Sequence, residues 1–202
     1  MLVVGITGGI ATGKSTVTAL LAQKGAYHID TDVLAHQVME PGQPAYEKIL
    51  QYFGENILQT GGQINRKKLA ELVFNNEKER KLLEQVTHPE IHQLMLNHLQ
   101  AAQLQGVTIA VVEVPLLFET DFHKDVDYVV VVTATVEQQL LRLMNRSNLT
   151  KDQAYKRLAA QMPLEEKVKR ADFVVNNSGT IAETKQQVEI LWQHLLQECV
   201  NG

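Results

Sequence analysis

The run Gly8-Gly9-Ile10-Ala11-Thr12-Gly13-Lys14-Ser15-Thr16 narrows what this chain can become more than any other stretch. A glycine, four residues and then Gly-Lys-Ser is the phosphate-loop pattern, which belongs between a strand and a helix. Leu2 to Thr7 reads as a buried strand and Ser15 onward as a helix, so the setting is right. Glycine is needed at 8 and 13 because a side chain there would block close backbone approach to phosphate oxygens or strain the turn. The nucleotide-binding set is Gly8, Gly9, Ala11, Thr12, Gly13, Lys14, Ser15 and Thr16. Backbone N–H groups line the loop, the following helix adds the positive end of its dipole, and Lys14 aims a full charge at the outer phosphates. Ser15 is placed to hold magnesium.

The chain has 202 residues, enough for one domain with a real core. Its 45% hydrophobic and 21% charged content is ordinary for a globular protein and excludes disordered, collagen-like and coiled-coil classes. A lone cysteine, Cys199, cannot form an internal disulfide and suits a reducing compartment. With no basic leader and no apolar run of roughly 20 residues, a cytoplasmic location and no membrane partner are expected. A net charge of −4 argues against a general nucleic-acid surface.

Helix one follows from the spacing of Val17, Leu20 and Leu21, with Gly25 as its stop. Ala26 to Asp30 reads as a second strand, making an opening βαβ unit of parallel strands. That strand ends in Asp30-Thr31-Asp32, and ligands of an open parallel sheet bind beyond the carboxyl ends of its strands, so Asp32 is expected beside the phosphates. If both aspartates lay on the strand they would point to opposite faces, leaving one toward the nucleotide; the alternative is that either caps the next helix. From Val33 to about Gln105 the pattern is helical, broken at Pro41-Gly42, Gly54 and Gly61-Gly62, with a long helix expected after His88-Pro89.

Thr108 to Val114 is a nearly continuous apolar run, as in a strand buried on both faces, and is followed by Pro115-Leu116-Leu117-Phe118-Glu119. Asp127 to Thr133 is another central strand. Thr135 with Gln138 reads as a capping box for a helix whose apolar members are Val136, Leu140, Leu141, Leu143 and Met144. Arg142 and Arg146 share one face of it, in a locally basic segment that reads either as a solvated face or as a mobile lid whose arginines neutralise a triphosphate. Phe173 to Val175 is a last strand. Thr180 and Glu183 then form a capping box for a final helix with Ile181, Val188, Leu191, Trp192, Leu195, Leu196 and Cys199 on its apolar face.

Three classes of nucleotide protein fit a phosphate loop. A GTPase switch would carry Asp-x-x-Gly and Asn-Lys-x-Asp, and neither occurs. A motor or transport ATPase would be larger, with an acidic cluster ending a strand, which Glu113 alone resembles weakly. A small-molecule kinase uses more of the chain: the loop, the aspartate after strand two, a helical acceptor region and an arginine lid.

Ile6-Thr7-Gly8-Gly9-Ile10, Asp30-Thr31-Asp32, Pro41-Gly42, Arg66 with Leu69 and Phe74, and His88-Pro89-Glu90-Ile91 recur in order with Val114 to Glu119, Arg157 with Gln161, and Ala171-Asp172 leading to Asn177. In that order and spacing the chain resembles the dephospho-coenzyme A kinases. The resemblance implies an α/β, three-layer P-loop nucleotide-kinase-like fold with a parallel five-stranded sheet, a helical acceptor-binding insertion and a lid. Within one domain the core falls at about 1–32, 106–136 and 171–202, the acceptor region at about 33–105 and the lid at about 137–170. It implies transfer of the γ-phosphate of ATP to the ribose 3′-hydroxyl of dephospho-coenzyme A, with Mg2+ as cofactor; the alternatives are another P-loop small-molecule kinase and a non-kinase NTPase switch. Asp32 matches the family's catalytic aspartate, with Lys14 and Arg142 beside it in the reaction. Arg142 and Arg146 match lid positions near the nucleotide, and Asn177 the loop beside the adenine. Arg66, His88 and Pro115, Leu116 and Leu117 are implied holders of the acceptor. A monomer or small homo-oligomer is expected. The family often has an acidic residue where Ser147-Asn148 stands, and glycine or serine where the loop has Ala11-Thr12.

Overall fold

β-branched runs set the strands. In the computed structural model, which describes residues 1–74 and 76–201, these are β1 (Leu2–Gly8), β2 (Tyr27–Asp30), β3 (Ile109–Glu113), β4 (Tyr128–Thr133) and β5 (Phe173–Asn176). They form one five-stranded sheet in the order β2-β3-β1-β4-β5, with every neighbouring pair parallel. The opening strands β1 and β2 are parallel but do not pair, because β3 enters between them. Burial explains the order. Every residue of β3 is buried, so it needs a strand on each side, whereas the short β2 exposes His28 and can stand at the edge.

Among the described residues the helices are α1 (Lys14–Gln23), α2 (Thr31–Gln37), α3 (Pro44–Phe53), α4 (Arg66–Phe74), α5 (Glu77–Leu104), α6 (Val136–Ser147), α7 (Lys151–Ala159), α8 (Leu164–Val168) and α9 (Ile181–Asn201). The chain divides into a sheet unit, residues 1–30 with those from Leu99 on, and a helical unit, Thr31–His98. In the sheet unit, Val4 and Ile6 of β1 and Val130 and Val132 of β4 share a core with Val17 and Leu21 of α1 and Val188, Leu191 and Leu195 of α9. Trp192, Leu196 and Cys199 are partly buried against it. The helical unit has its own interior of Leu34, Tyr46, Ile49, Ile57, Leu69 and Met95, and the Tyr46 hydroxyl donates to the Gly62 carbonyl.

Four local expectations are corrected. α5 does not begin after Pro89 but runs through it from Glu77. Pro89 removes one N–H from the ladder; Val86, Ile91 and Met95 are buried on either side of it, and that burial holds the helix continuous. Thr135 caps α6 by accepting from Gln138 N at 3.3 Å, but the box is not closed, because the Gln138 amide donates instead to the Ser178 carbonyl at 2.6 Å. Val136 and Leu141 of α6 are exposed, leaving Leu140 and Leu143 as its buried members. Ile181 of α9 is exposed too, since it occupies the first turn.

The second box does close. Thr180 Oγ1 accepts from Glu183 N at 3.3 Å, and Glu183 Oε2 accepts from Thr180 N at 2.6 Å. Thr180→Ala should lower unfolding free energy by about 1 kcal/mol in urea denaturation. Because the bonds are reciprocal, Glu183→Ala added to it should cost less than it does alone; full additivity would mean that α9 starts without the box.

Candidate active site

The loop after β1 is shaped by contacts too close for side chains. At Gly8 a Cβ would stand 2.3 Å from the carbonyl oxygen of Val132 in β4. At Gly13, where φ is +95°, it would stand 2.1 Å from Asn177 Nδ2. Ala11 takes the left-handed conformation at φ +58°, which costs a residue with a Cβ roughly 1 kcal/mol. Thr12 is fully buried, and its hydroxyl donates to the Gly9 carbonyl at 3.0 Å.

Behind the loop stand donors aimed at its carbonyls. Arg142 of α6 donates from Nη1 to the carbonyls of Ala11 at 3.4 Å and Thr12 at 3.3 Å, and from Nη2 to that of Asn177 at 3.0 Å. Asn177, just past β5, donates from Nδ2 to the Thr12 carbonyl at 2.8 Å. Its Oδ1 accepts from the buried Thr184 hydroxyl of α9 at 2.9 Å, which fixes which way the amide faces. In a trans peptide the N–H points opposite the C=O. Drawing the Thr12 carbonyl toward Arg142 and Asn177 therefore turns the Gly13 N–H to the other side, where the start of α1 also presents its N–H groups. Lys14 is almost buried, with Nζ 3.2 Å from the Gly9 carbonyl and 3.5 Å from that of Gly8. Ser15 is exposed in the first turn of α1, and the Thr16 N–H donates to the Gly13 carbonyl at 3.0 Å. Arg146, one turn beyond Arg142, is exposed.

Sequence reasoning passed over Glu113 as a site residue. It ends β3 opposite Asp30 at the end of β2, and its carboxylate is buried. Oε2 accepts from the Thr18 hydroxyl at 2.8 Å and lies 3.7 Å from His28 Nε2, an ion-pair distance rather than a hydrogen bond. Burial pushes this carboxyl up, but His28, the Thr18 hydroxyl and the Lys14 charge together outweigh it and hold the group below the usual range. The signal was available: one acid closes an otherwise apolar strand.

Pro115 follows β3, and its carbonyl accepts from Thr7 Oγ1 at 3.3 Å and from the buried Lys167 of α8 at 3.0 Å. Leu116 accepts from the Thr120 hydroxyl through its carbonyl, and Leu117 is fully buried, against the position a Cβ of Gly5 would take. Gln161 and Thr184 also went unread as site residues.

The remaining candidates belong to the helical unit. Asp32 is in the first turn of α2 rather than on a strand, so the argument from alternating strand faces does not apply to it. Arg66 opens α4 and lines a cavity of about 320 Å³ with His36, Glu40, Pro41, Asn65 and Lys67 among its walls. His88 lies in α5 and does not line that cavity; burial lowers its pKa, against the opposing charge of Glu84.

A parallel sheet with a phosphate loop after its central strand defines a P-loop kinase-like fold. Shikimate kinase from Acinetobacter baumannii shares that fold, with a TM-score of 0.54 at 16% identity, covering 98% of this chain and 94% of that one. The particular family follows from closer matches. The dephospho-CoA kinase family model matches residues 2–183, and the chain belongs to that family. It is 48% identical over 187 residues to the dephospho-CoA kinase of Geobacillus kaustophilus, covering 93% of each. The dephospho-CoA kinase structure from Campylobacter jejuni superposes with a TM-score of 0.73 at 34% identity, covering 96% of both chains.

The lowered Glu113 carboxyl sets a pH test. Its stabilisation is present above the ordinary carboxylate value of 4.5 and is lost as pH falls through the lower folded value. Glu113→Gln should cost about 1–2 kcal/mol at pH 7. The gap to wild type should close in urea denaturation at progressively lower pH below 4.5; a gap independent of pH would remove the charge from the account.

Proposed function

We propose that the protein transfers the γ-phosphate of ATP to the ribose 3′-hydroxyl of dephospho-coenzyme A, giving coenzyme A and ADP, the last step of coenzyme A biosynthesis. The observation that carries this reading is the glycine-walled phosphate loop in a chain of the dephospho-CoA kinase family. The hydroxyl oxygen forms a bond to the γ-phosphorus as the bond from that phosphorus to the β,γ-bridging oxygen breaks. ADP leaves with the bridging oxygen, and the hydroxyl proton passes to Asp32.

Roles are divided by chemistry. Lys14 and the loop N–H groups bind the phosphates, where charge spreads over oxygens in the transition state. Arg142 and Asn177 serve the nucleotide by holding the loop and the base-side wall, and Arg146 lends the lid a mobile charge. Mg2+ fits the donors at the start of α1: the exposed Ser15 hydroxyl is a hard oxygen ligand, and the Glu113 carboxylate is anchored by Thr18 in the same turn region. When bound it supplies neutralisation of phosphate charge. For the acceptor, Arg66 and the cavity it lines offer cationic and polar walls to a diphosphate ester, with His88 and the Pro115 to Leu117 segment as further holders. The acceptors and donors are small molecules, in a monomer or small homo-oligomer. A single cysteine, Cys199, whose thiol burial pushes up, suits the reducing cytoplasm in which we place the protein. Among the described residues no helix is long and apolar enough to cross a membrane.

The reading is tested by mixing protein and magnesium ATP with dephospho-coenzyme A, adenosine, a nucleoside monophosphate or no acceptor, and following ADP and product mass. ADP release with dephospho-coenzyme A alone, and one phosphate added to it, is expected. Release with a different acceptor moves the chain to another small-molecule kinase activity. Asp32→Asn should lower turnover roughly 10²- to 10⁴-fold while retaining ATP binding; a near-wild-type rate would take the proton away from Asp32.

A further inference from the structure

The α7–α8 connection grips two distant parts of the sheet unit. Gln161, just beyond α7, accepts from the Ile10 N–H through Oε1 at 2.8 Å. The side chains of Ile10 and Ala11 also pack on the small apolar cluster of Leu140, Leu143 and Ala154, with Leu158 beside it, so α6 and α7 hold the tip of the phosphate loop by backbone and side chain together. Six residues past Gln161, the side chain of Lys167 has no exposed surface. Its Nζ stands 3.0 Å from Glu119 Oε1 and 3.0 Å from the Pro115 carbonyl. Between the two, the Met162 N–H donates to the same carboxylate at 3.4 Å. The Arg170 guanidinium then covers the Phe118 ring at 5.6 Å.

The energetics point to geometry rather than bulk stability. Burying an ammonium carries a desolvation penalty that its ion pair roughly offsets, and an apolar side chain of the same size would pack there at lower cost. What the lysine adds is direction: it fixes one carbonyl, that of Pro115, which also accepts from Thr7 one residue before the phosphate loop begins. The strap and the root of the loop therefore hold a single atom in common.

We propose that Gln161 and Lys167 are positioning residues for the phosphotransfer reaction, forming a strap that sets the phosphate loop at one end and the segment from Pro115 to Glu119 at the other. Neither touches the reacting atoms. Gln161 acts on nucleotide binding through Ile10, and Lys167 acts on acceptor handling through Pro115. The second half rests on the phosphotransferase reading above; the first does not.

The test uses Gln161→Met and Lys167→Met in the full chain, each close in size to the original and lacking its polar group. Affinity for the non-hydrolysable analogue AMP-PNP with magnesium is measured by calorimetry, which needs no acceptor. Steady-state turnover is measured with dephospho-coenzyme A, and Ile10 amide exchange by NMR. Gln161→Met should weaken AMP-PNP about five- to tenfold, the effect of one lost neutral hydrogen bond, with turnover at saturating ATP nearly kept. Its Ile10 amide should exchange faster by about the same factor. Lys167→Met should leave AMP-PNP affinity within about twofold and lower kcat/KM for dephospho-coenzyme A about tenfold or more, as loss of a charged hydrogen bond does. Unchanged AMP-PNP affinity and Ile10 exchange in Gln161→Met would overturn the proposal, as would equal loss of both substrates in the two variants, the mark of a general stability effect. If Lys167→Met does not fold, the Gln161 arm decides alone. If the wild type does not turn over dephospho-coenzyme A, the functional reading falls while the AMP-PNP arm still judges the strap.

Discussion

The carbonyl of Thr12 is where the phosphate loop is held. It receives Asn177 Nδ2 at 2.8 Å and Arg142 Nη1 at 3.3 Å, and through the planarity of the peptide it fixes the Gly13 N–H on the opposite side. An anion-binding loop needs its N–H groups pre-aimed, since turning them at the moment of reaction would cost reorganisation. Here the aiming is done from behind. The approach is so close that Gly13 has no room for a Cβ against Asn177, and Gly8 none against β4, so the glycines of the motif answer to the loop's supports as well as to its ligand.

Two buried charges extend that rigidity. Glu113 ties the end of β3 to α1 through Thr18, and Lys167 ties α8 to the turn after β3 through Pro115 and Glu119. Neither is an economical way to fill space, because a buried ion pair does little better than well-packed hydrocarbon. Both specify orientation instead. Glu113 is the last residue of β3 and Lys167 bonds the Pro115 carbonyl just past it, so both act at one strand end in a region of low dielectric.

Local pattern carried much of the fold. The β-branched runs placed all five strands to within a residue or two, and the glycine spacing placed the loop and α1. Local pattern failed where a distant partner decided the outcome. That β1 and β2 run parallel was legible, but that β3 stands between them was not. The proline at 89 read as a helix start, yet burial on both sides of it kept α5 continuous. Val136, Leu141 and Ile181 fit helical periodicity and are nonetheless exposed. In the site, the phosphate loop could be read from spacing, but its supports could not: Arg142 lies 130 residues from Thr12, Asn177 165, and Gln161 151 from Ile10. Only the ordered family resemblance drew attention to Asn177, and nothing local marked Thr184 or Lys167.

The most direct measurement of the loop's dependence on its supports compares Arg142→Ala with wild type for AMP-PNP affinity and for turnover at saturating ATP. If the guanidinium works by holding the carbonyls of Ala11, Thr12 and Asn177, affinity falls by about tenfold or more, as for a lost charged hydrogen bond, and turnover at saturation falls less. Wild-type affinity with a collapse of turnover would contradict this and make Arg142 a group that acts only on the transferring phosphate.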